Sequence, residues 1–189
     1  MSDLSSSRYG NGMVAAAQPE AVEAGVEALR AGGNAVDAAI ACGLVAGVVD
    51  PQMCGIAGFG NAQLYLPGHG IHTCVDFHGT SPAATQPDQW EHLLVGETRD
   101  GFGFLLEGNV NDLGYQSITT PGSLLAYYEA QTRYGRLPWA DVVAPAIEWA
   151  ENGFRIRPAV YNWWQEGATM GRVDTVERLR HTPAGRRIY

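Results

Sequence analysis

The pattern of apolar and polar positions predicts two consecutive helices near the start of the chain. Between residues 18 and 30, apolar side chains recur at helical spacing with charged residues between them, and Pro19 suits the first turn. Residues 35–49 are apolar all round apart from Asp37, and Asn34 can cap this segment. Because its side chains are mostly small, we expect the second helix to be central in the fold.

The pattern then changes to short alternating segments. Residues 61–66 and 71–77 have the composition of strands, and the Pro-Gly-His-Gly run between them predicts a hairpin. A glycine-rich turn at residues 55–60 comes before it, and residues 81–86 form an irregular connection. Residues 88–94 are predicted to form a short helix, whereas residues 97–111 fit no single pattern.

Helical spacing returns in the second half. It predicts helices over residues 123–134 and from Pro138 to about residue 152, each ending at a glycine, and a further helix over residues 158–165. No internal repeat or flexible linker is visible. We therefore expect residues 1–189 to form a single segment of one α+β domain.

Composition limits the classes of function. The chain is 46% hydrophobic and 17% charged, which favours a folded globular protein. Its formal net charge of −8 argues against general attraction to nucleic acid or to an anionic membrane. Two arginine pairs, at positions 178 and 180 and at 186 and 187, are interpreted as solvated surface.

The cysteines and the first residues bear on compartment and cofactor. Cys42, Cys54 and Cys74 are an odd, widely spaced set without a CxxC pair, so neither a zinc site nor a redox motif is indicated. We expect no metal and no cofactor. Unpaired thiols suit a reducing compartment, and residues 1–13 do not read as a secretory signal. The longest apolar run is shorter than a membrane span. These features predict a cytoplasmic location.

Three local patterns could carry chemistry, and none identifies a reaction alone. The turn at residues 55–60 lacks the Gly-Lys-Ser/Thr of a phosphate loop and precedes a strand. His69, His72 and His78 lie close in sequence, and on a strand His72, Asp76 and His78 would share a face. That arrangement permits a metal site, but a satisfied or solvent-facing histidine is the commoner outcome.

Threonine can act as a nucleophile when it becomes the first residue of a chain. Thr119 and Thr120 are instead followed by Pro121 and Gly122, which lead into a predicted helix. We interpret both threonines as turn and helix-entry residues. No G-x-S-x-G nucleophile elbow occurs in the sequence.

A series of short motifs resembles the amino-terminal part of the large subunit of the γ-glutamyltransferase family. The most recognisable is Gly-Gly-Asn-Ala-Val-Asp-Ala-Ala at residues 32–39. The others, in the same order as in the family, are the runs at residues 12–16, 18–19, 24–25, 48–51, 55–58, 121–122, 134–139, 145–147 and 153–154. Each is weak alone, but their order and spacing are specific across most of residues 12–158.

The resemblance implies a fold and an activity. The fold would be part of the N-terminal-nucleophile (Ntn) hydrolase αββα sandwich, two antiparallel sheets between helical layers. The family precursor cleaves itself, and the new terminal threonine of the small subunit attacks a γ-glutamyl amide and passes the acyl group to water or an amine. No matching threonine is found in this sequence, so no catalytic residue is carried over. We expect the nucleophile to lie outside this chain.

The resemblance also implies one substrate-binding position. In the family, the strand after the hairpin ends in Asp, an aromatic residue, Arg and Glu, and the Arg holds the α-carboxylate of the glutamyl group. Here His78 stands at the Arg position and Gly79 at the Glu position. A histidine lacks the fixed charge and bidentate geometry of arginine. His78 is therefore either a substrate contact or a tolerated pocket or surface residue.

Three functions remain open at this stage. The first is the amino-terminal portion of an amide hydrolase or acyltransferase that acts on γ-glutamyl or related small amides, together with a missing C-terminal part or small subunit. Association of this protein as a homo-oligomer is left open. The second is a non-catalytic fragment or assembly partner from a truncated or split gene. The third is a small-molecule binding module built on residues 55–78.

Overall fold

The computed structural model describes residues 12–165, 167 and 172–189, so most of the serine-rich start considered above lies outside the described residues. The chain divides into two compact units. The first contains the described residues up to Gly79 together with Pro121–Arg155, and the second contains Thr80–Thr120 together with the described residues from Ile156 onward. That all of these belong to one family segment stays a prediction.

Helices α1 (Pro19–Arg30) and α2 (Ala35–Val49) confirm the first two predicted helices. Alanine residues of α1 are buried against α2. The backbone of α1 at Gly25 lies so close to α2 that a Cβ there would be 2.9 Å from the carbonyl oxygen of Ala38. Most of α2 is buried, as its all-round apolar sequence predicts. The central position expected for α2 is therefore confirmed.

Helices α3 (Ser123–Tyr134) and α4 (Trp139–Asn152) complete the helical part of the first unit. Val45 of α2 and Val142 of α4 are almost fully buried in the same hydrophobic core. A turn of four residues joins α3 to α4, and this turn is attached to the start of α2 through Asp37, as described below.

The hairpin is also confirmed. Strands β1 (Asn61–Leu66) and β2 (Ile71–Asp76) pair antiparallel, joined by a 3-10 turn at Pro67–His69 and by Gly70 in the left-handed conformation. The second strand ends one residue earlier than expected. Phe77 nevertheless continues the pairing, because it exchanges backbone hydrogen bonds with Gly60 (3.0 and 3.4 Å).

The second unit departs most from expectation. The helix predicted over residues 88–94 is wrong: only Glu91–Leu93 forms a 3-10 turn, and Leu94 begins strand β3 (Leu94–Glu97). Strand β4 (Phe104–Leu106) pairs antiparallel with β3 within the stretch that fitted no pattern. Helix α5 (Pro158–Trp164) confirms the last predicted helix, whereas α6 (Thr175–Leu179) and α7 (Pro183–Ile188) had no prediction.

Asp37 holds three parts of the first unit together. Its side chain is fully buried, and it accepts hydrogen bonds from the amide N–H groups of Asn34 (2.8 Å), Arg136 (2.9 and 3.1 Å) and Leu137 (3.2 Å). Gln131 of α3 also donates to it, at 3.4 Å. The carboxylate thus completes the cap of α2 and attaches the α3–α4 turn to it.

The residues around Asp37 extend this connection. The side chain of Asn34 accepts hydrogen bonds from the amides of Val36 (2.8 Å) and Asp37 (3.3 Å) and donates to the carbonyl of Tyr134 (2.6 Å). The turn also requires close approach at Gly135, because a Cβ there would lie 2.5 Å from Oδ1 of Asp37. Asp37 is therefore a structural residue that joins the start of α2 to the α3–α4 turn.

We expect Asp37→Ala to lower the free energy of unfolding by about 2–4 kcal/mol, because it leaves several buried N–H groups without an acceptor. Denaturant unfolding of the purified chain measures this change. Asp141→Ala is the matched control, since Asp141 also lies in the first turn of a helix but is exposed, and we expect a change within about 1 kcal/mol. Equal effects of the two substitutions would contradict the role given to Asp37.

Candidate functional site at the end of strand β2

Three segments of the first unit meet where β2 ends. The glycine-rich turn reaches the strand through the Gly60–Phe77 hydrogen bonds, and it reaches α3 because the carbonyl of Gly58 accepts from the amides of Gly122 (3.1 Å) and Ser123 (3.2 Å). A Cβ on Gly122 would lie 2.6 Å from the carbonyl oxygen of Phe77. Only a glycine fits this approach, so the position of α3 against the strand depends on it.

His78 follows the strand at this junction and contacts Asp76. Its ring Nδ1 lies 2.9 Å from Oδ1 of Asp76, and its backbone N–H donates to the same oxygen at 3.0 Å. Both side chains are more than half exposed. Because Nδ1 is engaged by Asp76, Nε2 is the ring nitrogen left for another hydrogen-bond partner.

The surroundings of His78 are aromatic and negatively charged. The ring of Phe59, from the glycine-rich turn, lies with its centroid 5.4 Å from that of His78. The pKa of Asp76 is lowered, chiefly by the hydrogen bond from the backbone N–H of His78 and next by the contact with its ring. The carboxylate is therefore ionised at neutral pH, and the charge that the structure places against His78 is negative.

The other two histidines of the group considered in the sequence analysis, His69 and His72, lie away from His78. His72 is paired across the hairpin with Tyr65, and the two rings make an edge contact with centroids 5.4 Å apart. His69 lies in the 3-10 turn at the tip of the hairpin. Among the described residues, no group of three or more His, Cys, Asp or Glu side chains could hold a metal ion. The ring of His78 contacts Asp76, but His78 lies two residues beyond the end of β2, so the shared strand face stays a prediction.

Of the two threonines considered above, Thr120 takes part in a short backbone pairing within the second unit. Thr120 forms an isolated antiparallel bridge with Thr80, with N···O distances of 2.9 and 3.3 Å. The backbone of Thr120 is thus held by this pairing, just before α3 begins. The turn at residues 55–60 is followed by strand β1 and not by a helix, which agrees with rejecting a phosphate loop there.

Two of the three cysteine thiols, Cys42 and Cys54, are poorly suited to nucleophilic or metal chemistry. Cys42 is buried and Cys54 is half-buried, and burial raises the pKa of both thiols, with a further increase at Cys54 from the charge of Asp50. Cys74 is exposed on the hairpin, and all three are free. Of the arginines interpreted as surface, Arg178 forms an ion pair with Asp112 at 2.7 Å within the second unit.

Sequence reasoning missed one neighbour of this site, Phe59, and did not single out the pairing of Asp76 with His78. Phe59 was treated only as part of a glycine-rich turn, although a large aromatic residue within such a turn is itself a signal that the turn contacts another group. Asp76 was considered beside His72 as well as beside His78. The spacing of two residues on one strand face favours the second pairing, which is the one the structure shows.

Comparison with known proteins defines the class of this fold. The gamma-glutamyltranspeptidase of Pseudomonas nitroreducens, solved in complex with L-DON, superposes with a TM-score of 0.71 at 28% identity and covers 84% of this chain. The match takes in 44% of that chain. The α+β fold is therefore part of an Ntn-hydrolase sandwich, as the resemblance implied.

The sequence comparisons give the family. The gamma-glutamyltranspeptidase family profile matches residues 21–189, and the chain belongs to that family. Acylase ACY 1 proenzyme of Pseudomonas sp. strain V22 is 38% identical over 153 residues, and glutathione hydrolase 3 of Arabidopsis thaliana is 35% identical over 148. These matches cover 80% and 78% of this chain. The chain spans only about a quarter of the length of these curated relatives, 26% and 21% respectively.

The contact between Asp76 and His78 can be tested through the ionisation of Asp76. Because folding lowers the pKa of this carboxyl, its ionised form stabilises the folded state above the unfolded value of about 3.9, and this contribution is lost as the pH falls through the folded pKa. Carboxyl NMR titration of Asp76 measures the shift. We expect His78→Ala to raise the pKa only in part, because the backbone N–H remains. An unshifted pKa in the wild-type chain would contradict the contact.

Proposed function

We propose that this chain is the amino-terminal portion of an amide hydrolase or acyltransferase whose nucleophilic threonine lies outside residues 1–189. The observation that supports this most is the family match over residues 21–189, in which an acylase and a glutathione hydrolase are similarly close relatives. The acyl group would be γ-glutamyl or a related small acyl group. The chemistry requires no metal or cofactor from this chain.

The proposed partner is the remainder of a family-length protein, either as a C-terminal part or as a separate small subunit. The short coverage of relatives described as proenzymes supports this proposal. A homo-oligomer is a further possibility, whereas no nucleic-acid or membrane partner is proposed for an acidic chain. Within the part of the chain that the structure describes, no helix is long and apolar enough to cross a bilayer. The three free thiols support a cytoplasmic location.

The deciding experiment is to sequence the DNA downstream of the codon for Tyr189. A continuing or adjacent frame that encodes a family small subunit with a threonine at its start would support the enzyme. Co-expression, amino-terminal sequencing of the small subunit and an assay with γ-glutamyl anilides would complete the test. If no such frame exists, the non-catalytic fragment replaces the enzyme as the proposed function.

We expect residues 1–189 alone to have no amidase activity, because the nucleophilic threonine is proposed to lie outside them. Assays of the purified chain with γ-glutamyl anilides and simple amides measure this. Turnover that survives repurification and disappears on mutation of a residue of this chain would contradict the proposal. Thr120→Ala is the most informative such variant.

His78 is proposed as a substrate contact in the assembled enzyme. The Asp76–His78 pair offers an acyl group the one ring nitrogen that is not engaged by Asp76, beside a negative charge, whereas the arginine expected in the family would offer two charge-assisted bonds to a carboxylate. Such bonds contribute about 1.5–3 kcal/mol. We therefore propose weak selection for amides that carry an α-carboxylate.

We expect His78→Arg to increase kcat/KM for amides with an α-carboxylate by about one to two powers of ten, relative to matched amides without it. The comparison is made in the family-length enzyme. His72→Arg is the matched control, since it adds the same charge on β2 but away from the strand's end. A wild-type enzyme that already strongly prefers the carboxylate, with no gain from His78→Arg, would remove His78 from the substrate pocket.

A further inference from the structure

An apolar groove runs along the first unit between α2, α3 and α4, with a volume of about 700 Å³. We call it the α2–α4 groove. None of its lining residues is charged: Leu44, Gly47, Val48, Ile56, Leu124, Leu125, Tyr128, Trp139, Val143, Ala146, Ile147 and Ala150. Large apolar side chains are left exposed at its sides, with Leu125 at 67% and Ile147 at 50%. A continuous apolar surface of this kind marks a contact surface.

The groove is continuous with the hydrophobic core of the unit. Its floor is α2, a helix whose other faces are buried and whose apolar character on every side is typical of a helix enclosed within a fold. Val143 and Ala146 of α4 belong both to the groove and to the core. The groove therefore has the character of an unfilled part of a protein interior, since none of the residues that line it is charged.

Two further features of the same unit lack partners. In the part of the chain described, the hairpin β1–β2 has no third strand, although a two-stranded sheet is marginally stable by itself. In addition, Oδ1 of Asp50 and Oε1 of Gln52 are buried without a hydrogen-bond donor, whereas buried polar atoms are normally satisfied. Strand edges and buried acceptors need backbone or side-chain donors, which a small apolar ligand in the groove would not supply.

We propose that the α2–α4 groove receives an apolar segment from the remainder of a family-length protein, whether that remainder is covalently continuous or a separate chain. The match covers 44% of the chain of the solved relative, so more than half of that chain lies outside the match. Residues 1–11 have only Met1, Leu4 and Tyr9 as large apolar residues, too few to fill the groove. This inference rests on the proposed function for the existence of the remainder, but its test measures accessibility and not activity.

The test compares this chain alone with a chimera in which it replaces the matching segment of the Pseudomonas acylase ACY 1 proenzyme. A thiol is introduced by Leu125→Cys or Ile147→Cys, and maleimide labelling at that position is followed by peptide mapping, which separates it from the native cysteines. We expect labelling at both positions to be about tenfold slower or more in the chimera than in the chain alone, because the covering segment must open first. Glu148→Cys is the control on α4, the helix that also carries Ile147, and we expect its labelling rate to change little between the chain and the chimera.

Labelling at positions 125 and 147 that is equally fast in the chain and in a cooperatively folded chimera would overturn the proposal. If the chimera does not fold, Ile147→Glu in the chain alone remains informative. We then expect it to reduce binding of a dye for apolar surface without dissolving a defined oligomer. A defined dimer that this substitution dissolves would assign the groove to a second copy of the chain, and would also overturn the proposal without affecting the assigned reaction class.

Discussion

Burial of the Asp37 carboxylate is the constraint on which the first unit depends. A buried carboxylate is costly unless its oxygens accept several hydrogen bonds, and here the donors come from the cap of α2, from α3 and from the turn into α4. The three elements must therefore be in place together for the charge to be satisfied. The hydrophobic packing of α2 against α4 draws the elements together without fixing their register, and the hydrogen bonds to Asp37 supply that register.

The same unit positions the end of β2. The glycine-rich turn connects the strand to the first residues of α3, and α3 is fixed at its other end by the turn around Asp37. Asp76 and His78 thus lie at the end of a strand that is connected to α3, and α3 is itself held in place at both of its ends. This position presents a ring nitrogen, an aromatic face and a negative charge, a combination very different from the guanidinium of an arginine.

Much of the first unit could be predicted from local sequence, because its elements have long, clear periods and recognisable ends. Asn34, Gly135 and the Pro-Gly-His-Gly turn each mark a boundary that the structure confirms. The burial of Asp37 could not be predicted, since three of its four donor residues, Gln131, Arg136 and Leu137, lie 94–100 residues away in sequence. The second unit has short strands and 3-10 turns, in which residues 88–94 carry enough helical spacing to mislead. For the site, strand alternation predicted that Asp76 and His78 share a face, but the aromatic contact with Phe59 depends on the folded path of the turn.

The contact between Asp37 and Arg136 has a consequence for how this sequence can vary over evolutionary time. Asp37 recognises the backbone N–H of Arg136, while the arginine side chain is exposed. The position can therefore accept nearly any amino acid that keeps the amide hydrogen, and among the twenty only proline lacks it. Substitutions at Arg136 are therefore tolerated. The restricted positions are Asp37, which is distant in sequence, and the adjacent Gly135, where there is no space for a side chain. Related chains can therefore differ in the surface residues of this turn while the buried hydrogen bonds to Asp37 stay the same.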